Sequence, residues 1–136
     1  MPGPAHVTLH WKEGMLFEGG RPERPSALID ADGQQAPSPM DALLLALAGC
    51  TGADVVSILK KKRADLRAFR VEVVGERRAE HPKRYTAITL TYHVTAPGFA
   101  RDQVLHAIEL SLGKYCSVTH SLAPDIALRH ELVLEA

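Results

Sequence analysis

The sequence predicts an α+β fold. Three features point to it. Short segments of alternating apolar and polar residues gather in two blocks, one long apolar helix separates the blocks, and strands and helices do not follow the strict alternation of a doubly wound sheet. The expected order is three strands, a long helix, a two-stranded hairpin, a second helix and a last strand. A chain of 136 residues is one ordinary domain, residues 1–136, with room for a sizeable core.

Each element has its own signal. In "HVTLHW" Val7, Leu9 and Trp11 fall on one side and His6, Thr8 and His10 on the other, the pattern of a half-buried strand. "KEG" is a turn, "MLFE" a second short strand and "GGRPERP" a loop. "SALIDA" is a third strand, stopped by Asp32-Gly33. Ser38 opens a helix: its hydroxyl suits the N-cap, Pro39 the first helical position, and Asp41 the third position of a capping box. That helix is expected to run to about Lys62, where "KKKR" complements the negative end of the helix dipole. Leu43, Leu44, Leu45 and Leu47 make its first half apolar nearly all round, more than one small sheet covers from a single side. "FRVEVVGERR" and "YTAITLTYHVTA" form a hairpin, with Ile88, Leu90, Tyr92 and Val94 as an inward row. "RDQVLHAIELSLG" is an amphipathic helix with Val104, Leu105, Ile108 and Leu112 on one face and Gly113 as its expected stop. "KYCSVTHSLAP" is a turn or short helix, and "DIALRHELVLE" is a final strand.

Composition narrows the function classes. Formal net charge is +0, which argues against a nucleic-acid or anionic-membrane binder that depends on excess Lys and Arg. The apolar run between Asp41 and Asp54 is shorter than the roughly 20 residues a bilayer needs. "MPGPAHVTLHW" lacks the pattern of a signal peptide, so the cytoplasm is the expected location. In that compartment a pair of cysteines is more often catalytic, redox-active or metal-binding than a structural staple.

The two cysteines, Cys50 and Cys116, sit in different contexts. Cys50 lies in the apolar helix between Gly49 and Gly52, each costing a helix interior about 1 kcal/mol against alanine, which suggests close approach of a helix or a ligand. On a helical wheel it shares a face with Ala46, Leu47, Ala53 and Asp54. Cys116 comes just after the expected helix stop, beside Lys114, Tyr115 and Ser117. Taken alone, Cys50 also fits a small buried hydrophobe and Cys116 an incidental loop thiol. Cys116 and His120 are four apart, but no CxxC or HExxH accompanies them, so no metal and no cofactor are expected. His6, His10 and His93 fall on polar strand faces and are expected in solvent.

"SPMDALLLALAGCTGADVVSIL", with "KYCSVTH" further along, resembles the OsmC/Ohr family of osmotically inducible and organic hydroperoxide resistance proteins, and the likeness runs over essentially the whole chain. The resemblance implies an intertwined α+β homodimer. It also implies a thiol peroxidase for organic or lipid hydroperoxides, with Cys50 peroxidatic, Cys116 resolving, and a small dithiol or dithiol protein as reductant. In the peroxidase branch an arginine from the strand region lowers the thiol pKa and is braced by a glutamate just after the proline that opens the cysteine helix.

Here Met40 comes after Pro39, and Asp41, one residue on, is turned about 100° around the helix. Asp41 is thus a candidate brace as well as a cap. Arg24 is the candidate activating arginine, with Arg21, Arg77 and Arg78 as alternatives. Ser117 stands where the peroxidase branch often has proline. These departures place the chain with the broader OsmC-like branch. They keep a second function class open: a non-enzymatic protein that holds a small acyl or aromatic ligand in an apolar dimer-interface pocket.

Overall fold

The computed structural model describes residues 3–136; Met1 and Pro2, the first residues of the segment read as lacking a signal peptide, lie outside the described residues. The chain forms two compact units, Met1–Leu43 and Leu44–Ala136.

The first unit carries an antiparallel sheet of β1 (Thr8–Glu13), β2 (Leu16–Gly20) and β3 (Ala27–Asp30), in that order. The β1–β2 hairpin turns through Gly14 at φ +52, a value that glycine adopts without a Cβ clash. Trp11 Nε1 donates to the Gly14 carbonyl at 2.8 Å and braces the turn. The strand assignment holds, but the half-burial expected of Val7, Leu9 and Trp11 does not. All six β1 residues are exposed within the chain, Trp11 by 67%, because a sheet buries a face only against a second layer and this unit contains none. After β3, the buried Asp30 carboxylate accepts from the backbone N–H groups of Asp32, Gln34 and Gln35 and so organises the loop leading to the helix. The Gln35 and Asp32 bonds, the largest influences, hold it below the usual carboxylate range.

Helix α1 (Pro39–Lys61) begins where its cap signals place it: Asp41 N–H donates to Ser38 Oγ at 3.1 Å. It is longer than the apolar run between its aspartates. Its 23 residues, with a window of mean hydropathy 2.0, are long and apolar enough to cross a membrane by length and composition, which corrects the expectation drawn from the run Asp41 to Asp54. Leu47, Thr51, Val55 and Leu59, at i+4 spacing, form its buried stripe.

In the second unit β4 (Ala68–Arg77) pairs antiparallel with β5 (Tyr85–Thr95), and β5 pairs parallel with β6 (Ala127–Leu134). A parallel neighbour demands a crossover. It is supplied by α2 (Arg101–Leu110), a π-helical turn (Ser111–Tyr115) and α3 (Ser117–Ser121). The inward row Ile88, Leu90, Tyr92 and Val94 is fully buried against Leu47, Val55, Leu59, Val104 and Ile108. Burying each such aliphatic side chain stabilises the fold by about 1.5–3 kcal/mol. Of the two glycines around Cys50, only Gly52 meets a close neighbour: a Cβ there would lie 3.3 Å from the Phe69 ring, whereas Gly49 faces open space. Gly113 does not stop the second helix, which continues through it as the π turn. His93 is not in solvent. It is 14% exposed, with Nε2 2.6 Å from Glu72 and Nδ1 3.0 Å from Glu135, because β4 on one side and the end of β6 on the other flank it.

Candidate functional site

The second unit brings the two cysteines together. Cys50 is close enough to Cys116 to perturb its thiol, and both cysteines are free. Their burial is the reverse of what their sequence contexts suggest. Cys50, on the apolar helix, is half-buried, while Cys116, in the polar connection, is fully buried. Cys116 is the N-cap of α3: its sulfur accepts from Thr119 N–H at 3.5 Å. The Thr119 hydroxyl, buried with no hydrogen-bond partner among the described residues, is near enough to bear on the sulfur. Burial pushes the Cys116 thiol up, the two Thr119 groups pull it back in part, and the neighbouring Cys50 adds to the rise.

A buried polar chain runs beside the pair. Thr51 Oγ1 is 2.8 Å from Tyr92 OH and 2.8 Å from Ser111 Oγ. Ser111 Oγ in turn donates to Asp54 Oδ2 at 2.8 Å. Sequence reasoning misses Thr51 and Ser111, and it reads Tyr92 only as core. One signal is available: a tyrosine in an inward row needs a partner for its hydroxyl. Tyr92 is pushed up to about 12, first by burial and further by Cys116 and Asp54, against the pull of the Thr51 bond.

That shift has a pH consequence. The folded state keeps the Tyr92 proton above the ordinary value of 10.0, so its contribution to stability is intact below pH 10 and is lost as pH rises toward 12. Two pKa units amount to about 2.7 kcal/mol. We predict that urea unfolding of Tyr92→Phe falls off less steeply between pH 10 and 12 than that of the parent chain. Parallel curves would refute this.

The other sequence candidates are divided between the two units. Arg24 and Asp41 belong to the first unit, both exposed. Arg24 donates its backbone N–H to the Arg21 carbonyl. Arg77 Nε donates to the Lys83 carbonyl at the hairpin. His120 is exposed, and among the described residues no group of three or more His, Cys, Asp or Glu is placed to hold a metal. A cleft of about 730 Å³ in the first unit, lined by Trp11, Lys12, Glu18 and Arg21 among others, contains neither cysteine and has mixed polar walls.

The family model described as OsmC-like protein matches residues 31–131. The chain is 40% identical over 125 residues to Protein YhfA of Escherichia coli strain K12, covering 91% of this chain and 93% of that protein. Among solved structures it is similar to a hypothetical protein from Aquifex aeolicus VF5, with a TM-score of 0.87, 26% identity and 98% of each chain covered. It also shares the fold of the organic hydroperoxide resistance protein OhrB of Bacillus subtilis, with a TM-score of 0.62, 16% identity, and 96% and 98% of the two chains covered.

Proposed function

The chain belongs to the OsmC-like protein family, and from that premise we propose that it is a cysteine-based peroxidase that reduces organic or lipid hydroperoxides through a Cys50–Cys116 disulfide. One observation carries the reading: a half-buried free thiol on a helix is near enough to a second, fully buried free thiol to perturb it.

The chemistry divides the roles. Burial screens Cys116 from peroxide and raises its thiol pKa, so the first attack falls to the more accessible Cys50. Its thiolate attacks one peroxide oxygen and the O–O bond breaks. The other oxygen leaves as alkoxide and takes a proton to become the alcohol, and Cys50 becomes a sulfenic acid. Cys116 sulfur then attacks the Cys50 sulfur. The sulfenic hydroxyl leaves with the Cys116 proton as water, and the disulfide forms. A dithiol reopens it by exchange, itself becoming oxidised, which fits the reducing cytoplasm.

The test counts thiols. One equivalent of cumene hydroperoxide is expected to remove two titratable thiols per chain within seconds, with peptide mapping finding Cys50 joined to Cys116. Both thiols free after treatment would reject the peroxidase and leave the ligand-binding reading.

A further inference from the structure

The polar chain beside the cysteines has a fixed direction. A carboxylate only accepts, so Ser111 donates to Asp54. With its hydrogen used, Ser111 accepts from Thr51, and Thr51 in turn accepts from Tyr92. Three bonds therefore share one orientation, anchored on one charge. Thr51 and Ser111 are both fully buried, so breaking any link leaves a polar group without water to replace its partner.

The chain is tied to both cysteine carriers. Thr51 directly adjoins Cys50 on α1. Ser111 opens the π turn, and its carbonyl holds Cys116 N–H at 2.7 Å. One residue thus binds the cysteine helix through its hydroxyl and the second cysteine through its carbonyl. The π turn, a rare conformation, sits at the segment that must present Cys116.

We propose that Asp54 and Ser111 are positioning residues: through Thr51 and the π turn they hold Cys116 in pairing register with Cys50 and so set how readily the disulfide closes. This rests on the reading that the two cysteines pair, but not on the identity of the oxidant. It assigns no proton transfer to Asp54.

The experiment equilibrates the full chain in mixtures of oxidised and reduced glutathione. Two protein thiols and one glutathione disulfide exchange to one protein disulfide and two glutathiones, so electrons and protons balance. The variants are Asp54→Ala, Asp54→Asn and Ser111→Ala. Asp54→Ala and Ser111→Ala are expected to lower the equilibrium constant for Cys50–Cys116 closure roughly tenfold, the effect of losing one hydrogen bond to a charged group. Asp54→Asn, which keeps an acceptor oxygen, is expected to recover most of it. In a Cys116→Ser background the same variants should leave the alkylation rate of Cys50 by iodoacetamide unchanged, whereas general loosening of the fold would raise it. Should Ser111→Ala not fold, the half-buried Asp54 position decides alone. Equilibrium constants within twofold of the parent chain, or an altered Cys50 alkylation rate, would overturn the proposal. A parent chain that forms the disulfide in glutathione yet spares cumene hydroperoxide would overturn only the peroxidase; one that forms no disulfide would overturn both.

Discussion

Cys50→Ser is expected to abolish hydroperoxide consumption, and Cys116→Ser to leave one rapid oxidation per chain that runs on to sulfinic acid as further peroxide reacts. Serine oxygen is not a nucleophile toward peroxide at neutral pH, so the first variant lacks the reacting atom. Residual turnover in it would move the chemistry to Cys116. The second variant keeps the accessible thiol but has nothing to condense with the sulfenic acid, which then continues up the oxidation ladder. The buried position of Cys116 is expected to make the two variants unequal: bulk peroxide is screened from it, while the Cys50 thiol is near enough to perturb it. Mass spectrometry of the treated chains separates the outcomes. A Cys116→Ser chain that stops at the sulfenic acid and cycles with added dithiol would show that Cys116 is not needed for resolution.

Light scattering at micromolar concentration is expected to give twice the 14.8 kDa chain mass. The argument comes from the apolar surface that one chain leaves uncovered. Leu43 and Leu45 on α1 are 38% and 60% exposed, and Val7, Leu9 and Trp11 in and beside β1 are more than half exposed. Apolar surface on this scale draws a covering partner at about 25 cal/mol per Å² buried. We propose a second copy of the chain as that partner. Leu45→Asp should then shift the population toward monomer, since a carboxylate buried at such a contact has no partner there. A folded monomer for the unaltered chain would end the proposal.

The parts legible in the sequence are those set locally. Period-two alternation in β5 announces the buried row of Ile88, Leu90, Tyr92 and Val94, and Ser38, Pro39 and Asp41 announce the start of α1. The pairing of Cys50 with Cys116 comes from family likeness, not spacing, and Cys50 is near enough in the structure to perturb the Cys116 thiol. The hidden parts depend on distant partners. Thr51 and Ser111 are 60 residues apart and meet only after the crossover closes. Gly113 resembles a helix stop, because its neighbours say nothing of the bonds that hold Ser111 in a π turn. His93 alternates as a surface residue would, yet Glu72 and Glu135 close over it from two other strands or their ends. Cys50 reads as enclosed because leucines precede it, whereas burial along α1 tracks the i+4 stripe and Cys50 lies off it.

The π turn also sets a rule of counting. A ring closed from Cys116 N–H to the Ser111 carbonyl holds one residue more than an α-helical turn. Leu112, Gly113, Lys114 and Tyr115 fill that span, and the last three face solvent. Their number matters more than their identity. Deleting any one of them returns the segment to α-helical phase and swings Cys116 and α3 by about 100° around the axis, carrying the sulfur off its bearing. Point substitutions at Lys114 or Tyr115 should therefore be silent in the glutathione equilibrium, while a single deletion there should abolish closure.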